Sequence, residues 1–163
     1  MKLLQCKCGK TITIDDSDFE IFKYFKFRCG TRAGVNFYDN YQTKYLGREI
    51  LGISDNLTCD HIDKDKHNNC RSNLRIATQQ QNNCNVGKRI DNKSGYKGVY
   101  FNKHANKYIA IIRVHGERIH LGCFIDAIEA AKAYDNAAIK YHGEFAAINF
   151  PSAPAERSGA ITL

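Results

Sequence analysis

No stretch of this chain is apolar for long enough to cross a membrane, and Met1 to Cys8 contain no apolar run of signal-peptide length. A secreted or membrane-bound protein is therefore not expected, and a cytoplasmic one is. The chain also lacks any CxxC pair, although it has seven cysteines. Without a secretory signal these read as reduced thiols. Cys6-Lys7-Cys8-Gly9 together with Cys29-Gly30 falls one ligand short of the four that a closed zinc site takes, so a structural zinc is not expected. Acidic residues are in the minority, with 17 Asp and Glu against 24 Lys and Arg, a net charge of +7 and a pI near 9.0. That balance favours a polyanionic partner. A length of 163 residues accommodates one ordinary domain or two small ones.

The chain changes texture along its length. Thr11 to Ile14 alternates and runs into Asp15-Asp16-Ser17-Asp18, which reads as a strand ending at a helix N-cap. Phe19 to Phe27 reads as a short amphipathic unit, and Val35 to Tyr38 as a strand. Tyr45 to Ile53 has helical spacing, with Leu46, Ile50 and Ile53 on one side. A strand at Leu57 to Asp60, a polar loop at Lys64 to Ser72 and a strand at Leu74 to Ala77 follow. A helix then opens at Thr78 with Gln81 as capping-box partner. The segment 87–93 is polar, basic and linker-like. Beyond it Tyr96 to Phe101, Tyr108 to Val114 and Arg118 to Phe124 alternate, with His115-Gly116 as a tight turn between the last two. Asp126 and Glu129 form a capping box before an alanine-rich helix face that ends at Gly143. The segment 152–163 reads as a disordered tail.

The chemistry concentrates between Cys59 and Asn85. Asp60 and His61 stand at a strand end, Asn73 precedes the return strand, and Asn82 lies one turn into the helix. A carboxylate beside a carboxamide oxygen suits a hard cation, and a neutral imidazole can take a proton from water near neutral pH. Asp63 and Asp65 read as turn-shaping loop carboxylates.

The residues Cys59-Asp60-His61-Ile62-Asp63, Asn69-Cys70-Arg71-Ser72-Asn73-Leu74-Arg75 and Gln81-Asn82-Asn83-Cys84-Asn85 resemble the HNH (His-Me finger, ββα-metal) endonucleases, in the variant found in phage and intron homing enzymes. The resemblance implies His61 as general base, Asn73 holding its ring, and Asp60 and Asn82 as ligands of Mg²⁺ or Mn²⁺. It also implies Arg48 and Arg75 as DNA contacts. Family members carry His-Arg where this chain has Gly47-Arg48. That departure keeps open an alternative, a sequence-specific DNA-binding protein whose nuclease module is inactive. RNA cleavage would use the same chemistry.

The segment 94–151 resembles the AP2/ERF DNA-binding domain through Gly95-Tyr96-Lys97-Gly98-Val99-Tyr100, Lys107-Tyr108-Ile109-Ala110, Leu121-Gly122-Cys123-Phe124 and Glu129 to Asp135. Three antiparallel strands on one helix, with the open sheet face in the major groove of duplex DNA, are implied. Alternation turns Val99, Phe101, Tyr108, Ala110, Ile112, Ile119 and Leu121 toward the helix. Tyr100, Asn102, Arg113, Arg118 and His120 then share the opposite face, with Lys97 and Lys107 as further DNA contacts. From Lys88 to Phe124 eight Lys and Arg face two Asp and Glu. Where plant members carry arginine, tryptophan and glutamate, this chain has Tyr100, Asn102, His120 and Ile111, so base contacts do not carry over.

The expected protein is thus an α+β metal-dependent DNA endonuclease: an N-terminal segment at 1–44, an HNH module at 45–86, and an AP2/ERF domain at 94–151. Double-stranded DNA is the expected partner, with no membrane. Oligomeric state is left open, a monomer being compatible.

Overall fold

The computed structural model describes residues 1–30, 34–53 and 56–151, so the tail expected at 152–163 lies outside the described residues. The protein is mixed α+β, as expected, with small antiparallel sheets and four α-helices among the described residues. It divides into two compact units, Met1–Val86 and Gly87–Leu163.

The first unit is a mosaic of short elements. β1 (Lys2–Gln5) pairs antiparallel with β2 (Thr11–Ile14), and α1 (Asp16–Phe22) follows. β3 (Arg28–Gly30), β4 (Gly34–Asp39) and β5 (Gln42–Tyr45) form a second sheet. Alternation in β2 places Ile12 and Ile14 inside while Thr11 stays exposed. They join Leu4, Phe22, Phe27, Val35, Phe37, Leu46, Ile50 and Leu74 in one core. Phe37 is its hinge, with the rings of Phe22 and Phe27 packed edge-on at 5.6 and 5.8 Å. α2 (Leu46–Leu51) buries Leu46 and Ile50, one helical turn apart, and stops at Gly52 in the left-handed conformation.

The last part of this unit is strand–loop–strand–helix. β6 (Thr58–His61) pairs with β7 (Leu74–Ala77), His61 opposite Leu74 and Asp60 opposite Arg75. α3 (Gln79–Asn85) starts with the expected capping box: Thr78 Oγ1 accepts from Gln81 N at 3.2 Å, and Gln81 Oε1 accepts from Thr78 N at 2.8 Å.

The second unit is a meander, β8 (Val99–Asn102), β9 (Lys107–Val114) and β10 (Glu117–Phe124), under α4 (Ala127–His142). His115 and Gly116 both have positive φ, which the tight β9–β10 hairpin requires. The small side chains of Ala130, Ala131, Ala137 and Ala138 are buried and bring α4 down onto Val99, Ala110 and Ile112. The approach is closest at Gly98, where a Cβ would fall 1.9 Å from the Tyr134 ring. Asp126 caps α4, but by accepting from Ile128 N at 3.1 Å and not through the expected box with Glu129. Asp135, buried on α4, accepts from the backbone N–H of Asn149 and Phe150 and pins the C-terminal segment.

Candidate active site

β6 ends in two side chains of different character. Asp60 is 2% exposed. Its Oδ2 accepts from Arg75 Nε at 2.8 Å and lies 2.7 Å from Arg75 Nη2, while Oδ1 accepts from Asn85 Nδ2 at 3.0 Å. Arg75, opposite Asp60 in the register, is therefore engaged with the neighbouring strand. Burying a carboxylate is costly unless a charge and hydrogen bonds compensate it, and here both do. Asn85 also donates to His61 O at 2.8 Å, so one carboxamide ties both residues to α3.

His61 is half-buried, and desolvation pulls its pKa below the ordinary imidazole value, against the opposing pull of its Asn69 hydrogen bond. Burial thus disfavours the charged form of the ring. Its Nε2 lies 3.3 Å from Asn69 Oδ1. Asn69 Nδ2 donates to Lys66 O at 3.1 Å, which orients the carboxamide with its oxygen toward the imidazole. An amide oxygen only accepts, so Nε2 carries the proton and Nδ1 keeps its lone pair.

Asn73 does other work. Its Nδ2 donates to Asp63 Oδ1 at 2.9 Å and Asn68 O at 2.8 Å, and its Oδ1 accepts from Asp63 N at 3.0 Å. Asp63 in turn accepts from Asp65 N and Asn68 Nδ2. Asn73 and Asp63 thus brace the loop that delivers Asn69, and the ring contact expected of Asn73 is made by Asn69. β2 supports the same loop, with Thr13 N donating to His67 O at 2.9 Å and Asn69 N to Thr13 O at 2.8 Å. Asp18 holds its far end through a two-pronged pair with Arg71, at 2.8 and 2.6 Å.

Asn82, one helical turn before Asn85, is partly exposed, and its carboxamide makes no hydrogen bond among the described residues. Arg48 donates to the Leu57 carbonyl and, at 3.5 Å, to that of Ile53, anchoring the chain that enters β6. Gly47 has a packing reason. A Cβ there would lie 2.7 Å from Cys59 Sγ and 3.4 Å from Asn69 Oδ1, so its bareness lets α2 close on β6 and on the residue that holds His61.

In the second unit the registers Arg113 with Arg118, Ile111 with His120, Ile109 with Tyr100 and Lys107 with Asn102 set these residues on one sheet face. Tyr100, Lys107, Arg113, Arg118 and His120 are exposed there. Arg113 and Arg118 stand directly across from each other, and neither has an ion-pair partner among the described residues. Asn102 is partly committed, its Oδ1 accepting from His104 N and Ala105 N in the turn. Lys97 precedes the ladder, its Nζ 6.0 Å from the centroid of the Tyr134 ring on α4. A bulge between His120 and Gly122 brings Cys123 into register with Ile109 on the open face, with its Sγ 3.6 Å from His120 Nε2. On the helix side, Phe101 is more exposed than expected, its ring tilted against that of Tyr108 with centroids 5.0 Å apart.

The chain is similar to two kinds of known protein. It is 36% identical over 97 residues, 60% of its length, to an uncharacterized HNH endonuclease of Acanthamoeba polyphaga mimivirus. It is 33% identical over 96 residues to an AP2-like ethylene-responsive transcription factor of Arabidopsis thaliana, and 44% identical over 57 residues to APETALA2-like protein 2 of Oryza sativa. These similarities, to an HNH-named protein and to AP2-like proteins, are consistent with an HNH-plus-AP2 composition. It spans 49% of the length of the viral HNH protein and 21% and 13% of the two plant proteins. No protein-family model matches it. In an HNH unit Asn69 and Asn85 are the residues that sequence reading left without a role. Asn85 was detectable as the residue three places after Asn82 on one helix face, whereas Asn69 depends on how the loop folds back.

Proposed function

We propose that the protein is a metal-dependent DNA endonuclease of the homing kind, with the Asp60–His61 strand end as its active site and the β8–β10 face as its duplex-DNA contact. The observation that carries the reading is the His61 ring. It is oriented by Asn69, burial disfavours its charged form, and Nδ1 is left as the basic nitrogen.

The donor set fits a hard divalent cation. Arg75 takes Oδ2 of Asp60, but Oδ1 accepts only from Asn85 and keeps one lone pair, and the Asn82 carboxamide is unengaged among the described residues. Asp60 and Asn82 would hold Mg²⁺ or Mn²⁺, which when bound supplies Lewis-acid stabilisation of the charge that develops on phosphate oxygens. The chain's own residues do the rest. His61 Nδ1 accepts the proton of the attacking water. Asn69 fixes the tautomer and ring plane as a positioning residue. Arg75 and Asn85 hold the Asp60 carboxylate in place.

On the open face, Arg113 and Arg118 repel each other across the ladder, a modest cost that a phosphate between them would relieve. A three-stranded ribbon with cations on one face suits a duplex groove, and two linked DNA-contacting units gain effective concentration. Supercoiled-plasmid nicking with Mg²⁺ tests the reading. Wild type is expected to relax the plasmid and His61→Ala to leave it intact while still binding it. Duplex binding by both proteins with cleavage by neither would support the DNA-binding alternative instead.

A further inference from the structure

The N-terminal cysteines lie apart from the strand end and take no part in its chemistry. Cys6, Cys8 and Cys29 place their three sulfur atoms within 4.8 Å of one another, and the Cys6 and Cys29 sulfurs are 2.6 Å apart. A tetrahedral zinc with Zn–S bonds of about 2.3 Å holds its sulfurs about 3.8 Å apart, so side-chain adjustments of an ångström or so turn this cluster into a coordination shell. We propose that Cys6, Cys8 and Cys29 bind a thiophilic divalent cation of the zinc class, which staples the β1–β2 hairpin to β3.

The backbone presets the three thiols. Gly9 N donates to Cys6 O at 2.9 Å, and Gly9 takes a φ of +82°, which turns the chain so that Cys8 comes back over Cys6. Lys7 N donates to Phe27 O at 3.0 Å beside a bridge between Cys6 and Phe27, and this fixes the turn against the strand that carries Cys29. Lys7, Lys10 and Arg28, next to the cysteines in sequence, offset the negative charge of three thiolates.

The ligand set names the class of metal. Three soft sulfurs with no carboxylate select zinc-like cations over Mg²⁺. Among the described residues no fourth His, Cys, Asp or Glu joins the cluster, so a water completes the tetrahedron. The site is independent of the nuclease reading. It bears on the nuclease site only through β2, which the staple would steady and which holds the Asn69 loop through Thr13.

The test is metal content of the full chain, purified with reduced thiols and without chelator. Wild type is expected to carry about one zinc per chain, and Cys8→Ser and Cys29→Ser about a tenth of that. Cys8 is exposed, so its serine variant keeps the fold. Cys123→Ser and His61→Ala are expected to retain the full equivalent, which separates this site from the Asp60–Asn82 donors. Cobalt substitution is expected to give sulfur-to-metal charge-transfer bands in wild type and none in Cys8→Ser. Wild type without zinc after zinc addition overturns the proposal. So does undiminished binding by Cys8→Ser, or a Cys6–Cys29 disulfide in protein whose thiols are blocked at lysis.

Discussion

The two units of the chain hold their shape by different means. In the Gly87–Leu163 unit, strands of eight residues lie under a helix of sixteen, and apolar packing on Val99, Ala110, Ile112 and the α4 alanines does most of the holding. In the Met1–Val86 unit the α-helices have six or seven residues, too short to persist alone. A core of aliphatic side chains and phenylalanines supports them, but the loop that matters is held by polar side chains: Asp18 to Arg71, Asp63 to Asn73, Arg75 and Asn85 to Asp60. Where packing makes the structure, the open polar face is left for contact with a partner. Where polar contacts make it, chemistry and stability share the same residues.

Mutations can break that contrast. The largest effect is expected at Gly98→Ala. Its Cβ would overlap the Tyr134 ring at a positive φ, so the second unit should unfold and lose duplex binding while the first unit keeps its thermal transition in calorimetry. Next comes Asp60→Ala, which strands a guanidinium that is mostly buried. A loss of about 3–5 kcal/mol in denaturant unfolding of the first unit is expected, along with all cleavage. A loss below about 1 kcal/mol would show that the pair is not buried in solution.

Asn69 and Asn73 separate ring from loop. Asn69→Ala is expected to cut the cleavage rate about tenfold or more with little change in duplex affinity, for a stability cost of about 1 kcal/mol. Asn69→Asp keeps the accepting oxygen and is expected to recover part of the rate. Asn73→Ala is expected to cost more stability, since three hydrogen bonds go. The smallest stability effects belong to Arg113→Ala and Arg118→Ala, within about 0.5 kcal/mol, with weaker DNA binding and a salt slope shallower by about one. Unchanged affinity in both would remove the sheet face from the account.

The same contrast explains what the sequence revealed. Strict alternation and an alanine stripe made the second unit legible down to the His115-Gly116 turn, because each signal is local and periodic. The β10 bulge broke that period and moved Cys123 to the open face unannounced. In the first unit the Thr78–Gln81 box and the β6–β7 pairing were readable. Arg48 and Arg75, expected as DNA contacts, with Arg75 alternatively bracing the loop, bond a loop backbone and Asp60. The strand pairing was readable, but the exact register that sets Arg75 opposite Asp60 was not. Gly47 read as a missing histidine until Cys59 and Asn69 were seen beside it.

The central claim is that the half-buried, Asn69-oriented His61 makes the first unit a nuclease. Single-turnover cleavage of a duplex by wild type and His61→Ala, with Mg²⁺ and at protein concentrations that saturate the DNA, tests it most directly. Metal-dependent strand scission by wild type, falling by three orders of magnitude or so in His61→Ala at equal occupancy, is the predicted result. Equal rates for the two proteins, or no scission by a wild type that binds the duplex, would contradict it.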